Sequence, residues 1–221
     1  GVCIRHVGKA GIEATGAGTV VRVVNSEIKE SGGDAISSSE GADVLVGFTS
    51  GGDFGLTNDP SGTGNFPGPA VSGPNYLHGN VGNGVTADRS GVARVVGNWI
   101  TGNTGDGVRV RRNGFADVAD NEISGNTGNG VSISEAGAVN LGTTSNAGCG
   151  ASAGTICGGG TIVNLSGLAN TSTGGNTGSG TRCSGGSYVT GKSSVDRTGG
   201  ANSLDTDGKA AFTGGCVDSR N

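Results

Sequence analysis

The chain reads as an all-β protein, a parallel β-helix built from coils of about 23 residues. Three observations predict this. First, Asn75, Asn98 and Asn121 are evenly spaced (98−75 = 23, 121−98 = 23), and Asn80, Asn103, Asn126 and Gly84, Gly107, Gly130 repeat the interval. A fixed period in the twenties marks a solenoid. Second, short apolar-x-apolar runs follow each Gly/Asn turn: Val108 and Val110 after Gly107, Val131 and Ile133 after Gly130. Period-2 alternation marks strands with one buried face. Third, no stretch has sustained helical spacing, and the Leu-x-x-Leu-x-Leu core of leucine-rich repeats is absent.

A hairpin meander is the rival. Asn83-Gly84, Asn113-Gly114 and Asn129-Gly130 are good hairpin turn pairs. Hairpins, however, give no reason for Asn, Asn and Gly to recur in register. In a β-helix, Asn at one corner of a coil bonds the Asn stacked on it and the local backbone. Composition agrees. With 49 Gly in 221 residues and 4% aromatics, an ordinary globule would bury too little apolar surface. A β-helix needs only a narrow stack of Val, Ile, Leu and Ala. The length predicts a single domain, 1–221.

Taken in order, residues 1–47 are early coils. Val2, Ile4 and Val7 start a first coil with no amphipathic capping helix before it. Such an end is expected to be a cut or to be covered by another subunit. Gly11-Ile12-Glu13-Ala14 parallels Gly84-Val85-Thr86-Ala87, which sets Asn25 against Asn98, 14 residues on in each case. Ala35-Ile36-Ser37-Ser38 opens the next coil 24 after Gly11, leaving the register open by one. Residues 48–74 hold Phe48, Phe54, Phe66 and all four Pro, and read as an inserted loop. Residues 75–143 are the regular coils. Residues 144–221 are irregular; Thr161–Leu165 is a clear strand, and Asn176-Thr177-Gly178-Ser179-Gly180 echoes Asn126–Gly130 after 50 residues. A closing strand is expected near Phe212–Val217.

Five Cys are present. Pairs Cys149–Cys157 and Cys183–Cys216 would staple the least regular part, in keeping with an oxidising, extracellular setting. Zinc competes, without a Cys-x-x-Cys or a nearby His to support it. Cys3 is left over. Net charge −4 argues against non-specific nucleic-acid binding. No run is long enough for a membrane span. The lack of Met and of a leader suggests a processed chain or a fragment.

The Asn-x-Ile-x-Gly-Asn-x-Gly-x-Gly-Val repeats resemble the right-handed parallel β-helix repeats of the pectate-lyase-like superfamily, over about 11–142. The ending Arg182-Cys183 … Gly-Gly-Cys216-Val217-Asp218-Ser219 is similar to that of secreted bacterial β-helix proteins. The resemblance implies the fold. It leaves the activity open among lyases, hydrolases, epimerases, tailspikes and adhesins.

Three groups of residues are candidates for function. A polysaccharide lyase needs carboxylates to hold Ca²⁺ and a basic side chain as the base. Coil alignment puts Asp88, Arg111 and Ser134 in one column, Arg89, Arg112 and Glu135 in the next, and Thr86, Arg109 and Ser132 in a third. Asp88, Arg111, Arg112 and Glu135 are the candidate catalytic set. The bland alternative is a salt-bridge ladder, and the arginines could also hold an anionic glycan. Tyr76 and Trp99, 23 apart and each between inward residues, should point outward as a sugar platform or a packing surface, with Phe54 and Phe66 as further partner contacts. Gly33-Asp34 and Gly105-Asp106-Gly107 resemble single pieces of Ca²⁺-binding turns, without the nonapeptide repeat. His6 and His78 suggest no triad, and no resident metal or cofactor is expected.

Two functions are therefore expected. One is a secreted structural or adhesive β-solenoid that self-associates coil on coil or binds a cell surface or matrix. The other is a polysaccharide-active enzyme or glycan-binding module.

Overall fold

The computed structural model describes residues 1–47, 75–119, 121–141, 156–157, 162–163, 175–191 and 211–219. Coil one holds β1 (Cys3–Arg5), β2 (Ile12–Thr15) and β3 (Val20–Val23); coil two holds β4 (Glu27–Lys29), β5 (Ile36–Ser39) and β6 (Asp43–Gly47). Coil three holds β7 (Tyr76–His78), β8 (Val85–Asp88) and β9 (Val92–Val96), and coil four β10 (Trp99–Thr101), β11 (Val108–Val110) and β12 (Phe115–Ala119). Coil five holds β13 (Glu122–Ser124), β14 (Val131–Ile133) and β15 (Ala138–Leu141). After β16 (Ile156–Cys157) and β17 (Ile162–Val163), coil six resumes with β18 (Thr181–Cys183) and β19 (Tyr188–Gly191), and coil seven with β20 (Ala211–Phe212) and β21 (Val217–Asp218).

Like strands of successive coils pair in parallel, giving three sheets. The first is β1-β4-β7-β10-β13, the second β2-β5-β8-β11-β14-β18-β20, and the third β3-β6-β9-β12-β15-β19-β21. This is the parallel β-helix that the sequence predicts. Of the strand expected at Thr161–Leu165, Ile162–Val163 lies among the described residues; it is a strand and pairs antiparallel with Ile156–Cys157, outside the three stacked sheets.

The core is a column of small and branched side chains. Ile28, Leu77, Ile100 and Ile123 come from the first sheet, Val85, Val108 and Val131 from the second, and Val44, Ala93, Ala116 and Val139 from the third; all are buried. Aliphatic stacking of this kind buries apolar area at about 25 cal/mol per Å² without needing aromatics.

The Gly84 and Gly107 positions recur for a steric reason. A Cβ at Gly84 would stand 2.2 Å from Ile100 Cγ2, and one at Gly107 2.4 Å from Ile123 Cγ2.

The expected Asn columns are present. Asn75, Asn98 and Asn121 form one ladder, and Asn80, Asn103, Asn126 and Asn176 another. Where the coil before carries an Asn, Oδ1 accepts its backbone N–H and its Nδ2–H, as at Asn103 to Asn126 (3.0 Å and 3.0 Å); Asn75 and Asn80 accept the N–H of Ser26 and Ser31 instead. Nδ2 also donates to a carbonyl, Leu77 O in the case of Asn103. Every polar atom of these buried amides is used.

The alignment of Asn25 with Asn98 is corrected. Glu27 pairs with Tyr76, so Ser26 is the rung, and its N–H donates to Asn75 Oδ1 at 2.9 Å. The cause lies in coil one. Ile12 pairs with Ile36 (36−12 = 24) but Val20 with Asp43 (43−20 = 23), so the extra residue sits in turn 16–19. Asn25 then occupies the left-handed position (φ 51°) that Gly97 (φ 71°) fills two coils on. Asn tolerates that region better than most residues.

Candidate functional site

The candidate charged residues lie at one corner of the stack, where the second sheet turns into the third. Each turn carries two consecutive left-handed residues: Arg89-Ser90, Arg112-Asn113 and Glu135-Ala136. Backbone bonds link turn to turn, Ser90 N–H to Arg112 O at 3.1 Å and Asn113 N–H to Glu135 O at 3.2 Å. The corner therefore stacks as regularly as the strands do. Long charged side chains project from it one rung apart.

Asp88, at the end of β8, is 6% exposed. Arg112 Nε donates to its Oδ1 at 2.6 Å, Arg112 Nη2 donates to Oδ2, and Arg111 Nη2 reaches Oδ2 at 3.3 Å. Burial pushes the Asp88 carboxyl up. The Arg112 hydrogen bonds and the two guanidinium charges outweigh that and hold it below its ordinary value. The same contact raises Arg112. Arg112 Nε also lies 3.8 Å from Glu135 Oε2, and Arg89 Nη1 lies 3.4 Å from Glu40 Oε1. The corner is thus an ion-pair ladder, Glu40–Arg89 and Asp88–Arg111–Arg112–Glu135. A general base needs a free lone pair facing substrate. Both oxygens of Asp88 are spent on guanidinium groups.

Arg109 stands one column over, with Thr86 and Ser132 as its register partners. No ion pair to it is found among the described residues.

Tyr76 and Trp99 point outward from the first sheet as expected and are register partners. Their ring centroids are 4.3 Å apart with the planes tilted by 31°. Rings on adjacent rungs must stack, because their separation matches the rung spacing. Each ring gives one face to the other, which leaves less face for a sugar than two separate rings would.

Sequence reasoning missed a cluster beside this pair. Glu27 Oε1 lies 2.9 Å from His78 Nε2 and 2.9 Å from Lys29 Nζ, and Cys3 Sγ donates to Oε2 at 3.3 Å. The His78, Lys29 and Cys3 hydrogen bonds bring the Glu27 carboxyl down to about 2, and Glu27 in turn raises Lys29. His6 likewise sits 3.0 Å from Glu30. The signal existed in sequence only as an offset of 49 (76−27), hidden by the insertion.

Asp34 and Asp106, read as pieces of calcium turns, are rungs of a third ladder. Asn83 Nδ2 donates to Asp34 Oδ1 at 3.0 Å, and Asn129 Nδ2 to Asp106 Oδ1 at 2.7 Å. Asp106 N–H donates to Asn83 Oδ1 at 2.7 Å. Among the described residues no group of three His, Cys, Asp or Glu is placed to hold a metal ion.

Cys183 and Cys216 form the expected disulfide, with Cα atoms 5.7 Å apart. Cys3 is free and exposed. Cys149, the side chain of Cys157 and the rings of Phe54 and Phe66 lie outside what is described, so the expected Cys149–Cys157 pair does too. No helix among the described residues is long and apolar enough to cross a membrane. No protein-family model, curated protein or solved structure matches the chain.

Proposed function

We propose that this chain is an extracellular structural or adhesive β-solenoid that associates coil on coil. The observation that carries this reading is the polarity of the amide ladders. Each Asn accepts at Oδ1 from the coil before it and donates through Nδ2 to the coil after it. A column with one polarity has no built-in length, since its two ends are complementary. The outward charges support the reading. At the corner they are paired along the stack axis rather than converging on a cleft. The Cys183–Cys216 bridge fits an oxidising compartment.

Electron microscopy of native, unrefolded material tests it. Filaments whose axial repeat is a whole number of rungs of about 4.8 Å are expected. Monodisperse single-chain particles across a concentration series would remove self-assembly.

The second reading is a polysaccharide-active enzyme or glycan-binding module of the pectate-lyase-like kind, with Ca²⁺ as an optional cofactor. Its supports are the repeat resemblance and, on the second sheet, the half-buried Arg109 and the exposed Arg182, neither of which has an ion pair among the described residues. Incubation with uronic-acid polymers, watched for the unsaturated product, separates it from the first.

A further inference from the structure

The outward side of the third sheet differs from the other two. One of its columns runs Val20, Asp43, Val92, Phe115, Ala138, Tyr188, Val217, and its last five rungs carry no charged side chain. The matching columns elsewhere are polar or mixed: Cys3, Glu27, Tyr76, Trp99, Glu122 on the first sheet and Thr86, Arg109, Ser132, Arg182 on the second. Phe115 is 37% exposed, Tyr188 42% and Val217 53%. Val92 and Ala138 between and beside them are half-buried. Exposed rings set in an apolar row mark a contact surface.

The spacing of the two rings says what kind. Phe115 and Tyr188 are two rungs apart, about 9.6 Å, with Ala138 between them. Tyr76 and Trp99, one rung apart, are forced to stack. A two-rung gap over a small residue lets each ring tilt over the sheet and turn a face outward. Two rungs is also close to the length of a β-1,4-linked disaccharide. The rings can therefore sit under every second sugar of a flat chain laid along the stack.

The neighbouring column supplies hydrogen-bonding groups at the same interval. Thr190 Oγ1 donates to Asn140 Oδ1 at 3.2 Å, and Asn140 Nδ2 donates to Asp117 Oδ1 at 3.2 Å. Arg94 Nη1 lies 3.5 Å from Asp117 Oδ2, so beside the five apolar rungs the two charged members of this column form an opposite pair; its third, Arg22, lies two rungs beyond Arg94. That balance suits an uncharged ligand.

The apolar strip by itself is small for a protein partner of ordinary size. Five rungs span roughly 20 Å at one residue's width. A stable protein interface needs about 800 Å² on each side. A single polysaccharide chain needs only a strip.

We propose that the third sheet binds a neutral, flat, β-1,4-linked glycan chain along the stack axis, with Phe115 and Tyr188 under alternate sugars and Asn140 and Thr190 beside their hydroxyls. The proposal names a partner for the adhesive reading above and rests on it, but it does not require self-assembly.

The test is co-sedimentation of the whole chain with microcrystalline cellulose and, separately, chitin powder. The wild type is expected to bind one or both, which tells the two sources apart. Phe115→Ala and Tyr188→Ala are each expected to weaken binding about tenfold, as truncating an aromatic anchor does. Val81→Ala, an exposed apolar residue in the turn between β7 and β8, should leave binding unchanged. Tyr188→Trp keeps a ring at the site and should retain it. Circular dichroism and the melting temperature confirm that each variant is folded. Absence of wild-type binding to both solids, or equal binding by the folded Phe115→Ala/Tyr188→Ala double variant, overturns the proposal. Microscopy of the same preparation keeps the two readings separate. Filaments that ignore both glycans defeat this inference alone, and monomers that bind cellulose defeat assembly alone.

Discussion

Asn98 donates twice to Asn121, through its backbone N–H at 3.0 Å and its Nδ2 at 3.0 Å, although 23 residues separate them. Asn98 also receives two bonds from Asn75 and donates to Val46 O at 2.9 Å. Asn98→Ala removes the acceptor for two buried donors of Asn75 and the donor to Val46 O. Leaving such groups unpaired costs about 1–3 kcal/mol each. A loss of about 3 kcal/mol is expected in urea unfolding. A shift under 1 kcal/mol would mean that water replaces the amide. Asn98→Asp keeps the acceptor, loses the donors and buries a charge, so its defect should shrink as the pH falls.

Glu27 makes the stack acid-sensitive in a defined range. Its folded value is about 2 against 4.5 unperturbed. A folded value below the unfolded one means that ionisation favours the fold. The contribution is complete above 4.5 and is lost as the pH drops toward 2. Asp88 adds to the same limb below 3.8, since its value is lowered too. Glu27→Gln should flatten the melting temperature against pH between those limits. An unchanged slope would show that His78 and Lys29 do not hold Glu27 in solution.

The Cys183–Cys216 bridge closes a separation of 33 residues. Loop entropy puts its contribution at roughly 3.5 kcal/mol. In a solenoid each coil contacts only its neighbours, so the loss should be local. The Cys183→Ala/Cys216→Ala variant should lose amide protection in β18 to β21 and keep it in β7 to β12. Hydrogen exchange reads this directly. Uniform loss across all coils would show that the stack melts as one unit.

What was legible in the sequence followed from one property of a parallel stack: a fixed offset puts residues in one column. The offset of 23 was enough to read the Asn ladders, the outward Tyr76 and Trp99, and the Asp88–Arg111 and Arg112–Glu135 columns. It failed where the offset changed. The extra residue in turn 16–19 moved the rung from Asn25 to Ser26. The insertion between Gly47 and Asn75 stretched the offset to 49 and hid Glu27 beside His78. The offset of 50 was legible from Asn126 to Asn176, and the same offset sets Tyr188 against Ala138 (188−138), in the row that joins Tyr188 to Phe115. The third ladder escaped because its rungs alternate Asp and Asn, two residue types with the same acceptor geometry.

The glycine column gives the sharpest packing test. At Gly107 a Cβ would meet Ile123 Cγ2 at 2.4 Å and Gly130 O at 2.6 Å. Coil two carries Ala35 at the equivalent position, and it is fully buried. The side chain that register sets against Ala35 is Leu77, which has no β-branch, whereas Gly11, Gly84 and Gly107 each face the Cγ2 of an isoleucine. The Ile Cγ2 methyl, rather than the backbone, is therefore the main obstacle. Gly107→Ala alone should cost about 2–3 kcal/mol through overpacking. In an Ile123→Leu background the same change should cost at least about 1 kcal/mol less, a coupling that a double-mutant cycle resolves. Coupling below about 0.5 kcal/mol would place the conflict at Gly130 O, and coil two would then owe its alanine to a backbone shift.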